Sequence, residues 1–486
     1  METDKVIIDK ESFCHFVYPF LFESEEFDKR VEAFNRAEWS GKKGTLNFWK
    51  NINFPSEDFL PCVSNYLNPP PNTVSTANLW TLDKNILQSS RGLGGRKGWE
   101  LQASGRSIPF IIEDVELALF RIGVGFLTVR AKPSSNQFND WVDFLHFFRF
   151  IKGQRKVSVE AKTKVGLDPE TNMPQYESFF PNFTQEVNSQ QFFGDVLDQL
   201  LRKGNPRTKK EPWWNEVFIK GQMIPFTTIF INNMIEQDIP NILYRLRNFF
   251  HSEQIIIPSA NDLSYNNYSL LPYAKNQWFF FSLEGGGFVA FKAPNSDFFR
   301  KVLPNHLKKQ YFLLFLITLH QRFVLMGLSH EVSKHWLEGD ESERLYFFRT
   351  IRDRHLVFTA RGFFSQIMQQ EHHHTVYRKC QEVFQLDQIY QEVSNEIQIM
   401  HDELQLRLSE SREQAIRNLE RFVTVVGMIL GIPTIVLTFL GVNISKITVE
   451  GGGLTFRLVV LMTIISFFIG IILFLIITIL SQNQKL

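Results

Sequence analysis

The chain has 486 residues, too many for one compact core, and a formal net charge of +1, which is not the basic balance of a dedicated nucleic-acid binder. Its three cysteines, Cys14, Cys62 and Cys380, are odd in number and scattered, pointing to a reducing compartment with no disulfide framework. The opening residues, Met1-Glu2-Thr3-Asp4-Lys5, are charged and lead into no apolar signal-peptide core, so the soluble part is expected in the cytosol.

Residues 1–300 read as a cytosolic α+β domain. Val115 to Ala131 has the pattern of a β-hairpin turning at Ile122-Gly123-Val124-Gly125, followed by a helix carrying Trp141, Phe144, Leu145, Phe148 and Phe150. A similar unit recurs at Trp278-Phe279-Phe280-Phe281-Ser282, turning at Gly285-Gly286-Gly287 into Phe288-Val289-Ala290-Phe291. The two stretches read either as two ββα units sharing one sheet or as two hairpins alike by chance. Residues 301–375 read as a helical connector.

Two histidine clusters fail as metal sites on geometry. His330 and His335 are five residues apart, not the four that align two ligands on one helix face. His372, His373 and His374 are adjacent, so one helix points them about 100° apart and cannot aim them at one metal; they read as a solvated helix start, with a metal shared between subunits as the alternative. No phosphate-binding loop, dinucleotide fingerprint or nucleophile–base pattern is present, and no enzymatic activity is expected.

Residues 376–421 contain no proline or glycine, and apolar residues recur at gaps of three and four, among them Val383, Leu386, Val393, Ile397, Met400, Leu404 and Leu408. This stripe runs into 422–440, nineteen residues without a charge, and a second uncharged run follows at 458–480. Each run is long enough to cross a bilayer, which takes about 20 apolar residues. One unbroken helix over 376–440 would be about 95 Å long. The loop 441–457 is short enough to make the two spans a hairpin. Arg412, Arg417 and Arg421 before the first span and Lys485 after the second place both termini, including the tail 481–486, in the cytosol, with Lys446 and Arg457 on the far side.

At the outer end of the first span stands Phe439-Leu440-Gly441-Val442-Asn443-Ile444. With the long helix before it and the final span after it, this resembles the Gly-Met-Asn signature of the CorA family of divalent-cation transporters, over residues 376–486. The resemblance implies a homopentamer in the inner membrane. Its first spans would line a pore, and Gly441, Val442 and Asn443 would form a selectivity filter. In that filter Asn443 holds a hydrated cation such as Mg²⁺ through its side-chain carbonyl. It also implies Asn418 at the inner mouth. Helical spacing from Asn418 then sets Val425, Met428, Ile432 and Val436 on one stripe as an apolar gate. There are departures. Val442 replaces the family's Met; the outer loop balances Glu450 against Lys446 where the family's is acidic; and Arg421 falls near the stripe, where five copies would oppose cations.

The large aromatic-rich cytosolic part resembles, in layout alone, the CorA-like membrane effectors of type III CRISPR systems. That implies opening by a nucleotide messenger, an AMP conjugate of S-adenosylmethionine, in antiviral defence. No motif marks a ligand pocket. Two other readings stand beside a ligand-gated channel: a constitutive Mg²⁺ or divalent-metal transporter gated by its ion, and a membrane-anchored scaffold without a pore.

Overall fold

A computed structural model describes residues 7–41, 44–88, 99–103, 105–150, 158–161, 164–167, 174–176, 191–203, 212–216, 221–233, 236–254, 256–337, 341–447, 460–462 and 464–472. The chain divides into two compact units, Met1–Ile397 and Gln398–Leu486.

The first unit is built on a thirteen-stranded sheet. Its centre holds β1 (Phe13–Leu21), β2 (Arg106–Phe120), β3 (Val124–Pro133), β4 (Ile224–Ile231), β5 (Gln277–Ser282) and β6 (Gly285–Phe291), in the spatial order β2-β3-β1-β4-β6-β5. Both expected hairpins are present, but their turns fall earlier than expected, at Arg121-Ile122-Gly123 and Leu283-Glu284, so that Val124-Gly125 and Gly285-Gly286-Gly287 lie in strands. Phe120 pairs with Val124 across a turn in which Gly123 has a φ of 96°, and Ser282 pairs with Gly285. The two hairpins share one sheet but are not copies in register. β3 runs antiparallel to its neighbour β1, whereas β6 runs parallel to β4. A simple repeat would preserve the sense of pairing. Gly287 marks the parallel seam: a Cβ there would lie 2.2 Å from the Thr227 carbonyl oxygen on β4, so only glycine fits.

Nearly every residue of β1, β4 and β6 is buried, because both faces of the sheet are covered. On one face, helix α1 (Phe138–Phe147) and the residue that caps it set Phe144 and Phe148 against Phe16, with ring centres 5.5 and 4.5 Å apart. On the other lies helix α2 (Phe312–Leu337), where Phe312 stacks on His15 at 4.0 Å, Phe315 meets Phe226 at 5.0 Å and Phe323 meets Phe126 at 6.1 Å. Alternate residues of β1 thus feed two separate aromatic layers, which is where much of the chain's stock of 49 phenylalanines goes.

Helix α2 belongs to a longer helical stretch, Phe298–Lys334, which among the described residues is the one helix long and apolar enough to cross a membrane. Its most apolar window is 83% buried, so its apolarity serves the domain core. The segment expected as a connector, 301–375, is therefore part of the first unit. Helix α3 (Glu341–Arg361) and helix α4 (Glu371–Val383) complete it. A buried polar cluster ties α4 to α2: the Tyr377 hydroxyl lies 3.0 Å from Gln321 Oε1 and 2.6 Å from the Phe364 carbonyl oxygen, and accepts from Gln381 Nε2 at 2.7 Å.

The single helix expected over 376–440 is interrupted. Helix α4 ends at Val383, and helix α5 (Leu386–Ile447) begins after Gln385, whose φ of 55° is left-handed. Phe384 and Leu386 are both fully buried, and Phe384 packs on Phe315 with Arg322 5.1 Å from its ring centre. An ideal helix sets residues two apart on diverging faces, so burying both requires the chain to turn between them.

The histidine run at the start of α4 is not fully solvated as expected. His373 is 6% exposed and stacks on Tyr311 at 4.4 Å, while His372 approaches Tyr273 at 5.6 Å. Burial, and then the charge of His306, pushes the His373 pKa down to about 4. Among the described residues no group of three or more His, Cys, Asp or Glu could hold a metal ion. In the other cluster, Glu331 is paired with Arg354.

Candidate functional site: the carboxy-terminal helical hairpin

Helix α5 is 62 residues long and contains neither a break nor a turn at the expected membrane boundary near residue 421. Pro433 sits within it, and the backbone of Gly441, Val442, Asn443 and Lys446 is helical as well, so the helix runs past the expected start of the loop at 441. A short apolar helix, α6 (Val460–Ile472), holds the described part of the second expected span. Glu450 and the rest of the expected outer loop, residues 448–457, lie outside the described residues, as does the expected tail.

The two helices meet through small residues. Ser466 and Gly470 are the buried positions of α6. A methyl group on Gly470 would lie 3.6 Å from the Met428 carbonyl oxygen and 3.9 Å from both Ile429 Cα and Ile432 Cδ1. Residues four apart and both small let a helix backbone approach its neighbour closely. Met428, Ile429 and Ile432, which this contact meets, are half-buried, and so is Val425 one turn before Met428. Three residues read from the sequence as gate positions, Val425, Met428 and Ile432, thus share one face of α5, and in this chain that face is turned toward α6.

The opposite face of α5 is open within the chain. Val423 and Leu430 are 60% and 61% exposed, Thr434 and Thr438 are exposed, and nothing lies within 4 Å of a Cβ built on Gly427 or Gly431. The two threonine hydroxyls donate to the carbonyls of Leu430 and Thr434, at 2.6 and 2.7 Å. These bonds satisfy them without a partner from outside the helix. At 100° per residue, about the α-helical step, Val423, Gly427, Leu430, Thr434 and Thr438 form one stripe. Sequence periodicity missed this stripe because threonine and glycine do not register as apolar positions. Below it, all of residues 411–424 are exposed, Asn418, Glu420 and Arg421 among them. Arg417 pairs with Glu413 at 3.1 Å, while Arg421 forms no ion pair among the described residues.

No family model matches the chain, and no curated protein matches it. Among solved structures, it is similar to the complete CorA magnesium transporter of Methanocaldococcus jannaschii, at a TM-score of 0.23 and 11% identity, over 53% of this chain and 92% of that one. At that score the likeness carries no argument, and the functional reading rests on the residues themselves.

Proposed function

We propose that this chain is a subunit of a CorA-like homopentameric cation channel of the cytoplasmic membrane, with 422–440 and 458–480 as its spans. The observation that carries the reading is the unbroken helix α5, which takes a charged stalk directly into an apolar segment ending at Gly441-Val442-Asn443. A scaffold anchor needs neither a polar signature at the outer end of its span nor an open polar stripe along it.

The helix α6 contact favours a pore wall different from the one that apolar periodicity suggests. With Val425, Met428 and Ile432 against α6, the face left for the axis is Val423, Gly427, Leu430, Thr434 and Thr438. This choice has an electrostatic advantage. Arg421 lies about half a turn away from that stripe and reaches the lipid headgroups, while Glu420 lies close to it. Five Glu420 carboxylates at the inner mouth would draw cations in, where five arginines would repel them. Leu430, flanked by two glycines, is the narrow apolar point of such a wall. On an ideal helix Asn443 falls on the Ile432 side, so its amide reaches the axis when the helix unwinds at Gly441, the residue best able to leave helical geometry. Mg²⁺ or a similar divalent ion is the permeant class, since an amide ring holds a hydrated cation without stripping its water.

Opening under control of the cytosolic unit by a nucleotide messenger belongs to this reading as its regulatory half, and a constitutive transporter is its alternative. The test is cation flux through the purified full chain in liposomes. Measured with and without the nucleotide messenger, wild type should conduct in at least one condition, and Asn443→Ala should assemble normally but change flux or ion selectivity. Flux and selectivity both equal to wild type would remove the filter from the reading, and no flux from any assembled form would favour the scaffold.

A further inference from the structure

A cavity of about 480 Å³ opens in the first unit between helix α3, the β2–β3 turn and the segment from Tyr66 to Thr76. The volume lies in the range of small-molecule sites, about 300–1,000 Å³. Ile122 and Phe358 contribute apolar surface, and three guanidinium groups, those of Arg121, Arg354 and Arg361, stand in its wall.

The three arginines differ in how far the chain already uses them. Arg121 is held by both carboxylate oxygens of Asp28. Arg354 donates to Glu331 at 2.5 Å and to the Ile122 carbonyl at 3.0 Å, but its buried Nε has no acceptor. Arg361 is exposed and has no hydrogen bond or ion pair among the described residues. Of the two carboxylates in the wall, Asp353 is met by Arg352 at 3.2 Å, and Glu25 is exposed. Arg354 thus has one donor, and Arg361 all of its donors, not engaged by another described residue, and both side chains stand in the cavity wall.

We propose that this cavity binds a small amphipathic phosphate: an apolar or aromatic body resting on Ile122 and Phe358, with oxyanion oxygens accepting from Arg361 and Arg354. A guanidinium presents parallel donors that match a phosphate, and a charge-assisted hydrogen bond is stronger than a neutral one in a partly dry site. The inference concerns binding alone and holds whether or not the chain conducts ions.

The experiment is calorimetric titration of the full-length protein with 1-naphthyl phosphate, 1-naphthol, inorganic phosphate and 1-naphthylmethylammonium. The aryl phosphate should bind roughly tenfold or more tighter than the naphthol or the bare phosphate, as expected of one charge-assisted contact added to apolar burial. Arg361→Gln should weaken it by a similar factor, with partial recovery in Arg361→Lys. Val357→Trp, at an exposed position on the cavity wall, should also weaken it by filling the space. Arg361 has no polar partner among the described residues and Val357 is 58% exposed, so the thermal midpoint of both variants should stay close to wild type. Equal or tighter binding of the naphthol or the ammonium, or an unchanged affinity in either Arg361→Gln or Val357→Trp, overturns the proposal.

Discussion

At the scale of single residues, Glu116 is the titratable group with the clearest thermodynamic consequence. It lies on β2, paired in register with Thr81 and Thr128, two residues from Asp114, which is itself bound to Thr81 and Arg130. Burial first, and then the Asp114 charge, push its pKa from the ordinary 4.5 up to about 7, with Arg130 opposing. Between those values the folded protein keeps a proton that the unfolded chain has released, so stability falls as pH rises through this window. Glu116→Gln should therefore flatten the loss. It should raise stability at pH 8 by about 1–3 kcal/mol and change it little at pH 4.5, as followed by denaturant unfolding at the two values. A gain of equal size at both would mean that the carboxyl is not titrating in that window. None of this is visible in the sequence, where nothing sets Glu116 apart from Glu113 and Asp114. Only the sheet pairing gives Glu113 and Asp114 the cations Arg130 and Lys132 while setting Glu116 between two threonines.

At the scale of elements, the junction of α4 with α5 and the faces of α5 carry separate predictions. Gln385 occupies the left-handed region, which costs an ordinary side chain about 1 kcal/mol, more for a β-branched one. Gln385→Val should destabilise the first unit by roughly 1–2 kcal/mol, whereas Gln385→Gly should be neutral or slightly stabilising, because relief of strain offsets glycine's larger unfolded entropy. Thermal unfolding of the two variants decides it, and equal effects would place the helix break elsewhere. On α5, the proposed pore face makes Glu420 and Arg421 unequal although they are neighbours. Glu420→Gln should lower cation conductance several-fold at low salt, with the effect fading as salt screens the mouth, and Arg421→Gln should leave it near wild type. The reverse ranking, measured on single channels, would put the Met428 stripe back on the axis. Apolar periodicity made the existence of α5 plain, but it could not say which face of the helix the neighbouring α6 would occupy. That depended on Ser466 and Gly470, two small residues in a different segment.

At the scale of the whole molecule, residues 411–424 are exposed on every side in the single chain, although Ile416, Leu419, Phe422 and Val423 are apolar and 55–65% exposed. At 100° per residue these four fall on one side of the helix, and an exposed apolar stripe of that kind is covered by lipid or by other copies of the helix. The proposed assembly supplies both. Native mass measurement in nanodiscs should give a single species of five chains, and a clean dimer or tetramer would end the pentameric reading.

What the sequence by itself determined was local. The two hairpins, the long final helix and the uncharged runs all follow from spacing and turn chemistry within stretches of a few dozen residues, although the helix runs on past Gly441-Val442-Asn443, where the sequence reading ended it. What only the tertiary structure decided were the partnerships between distant segments. Phe298–Lys334 is as apolar as a membrane span, yet lies mostly buried in the first unit, because residues from β1, β3 and β4 present aromatic surface to it. His373 reads as a solvated residue but is held against Tyr311, some sixty positions away. The guanidinium-lined cavity joins residues from before 30 to beyond 360 and leaves no mark in any one of those stretches. Hydrophobic burial is non-directional, so a pattern states that a face will be covered, while the covering element is chosen by shape and charge across the whole fold.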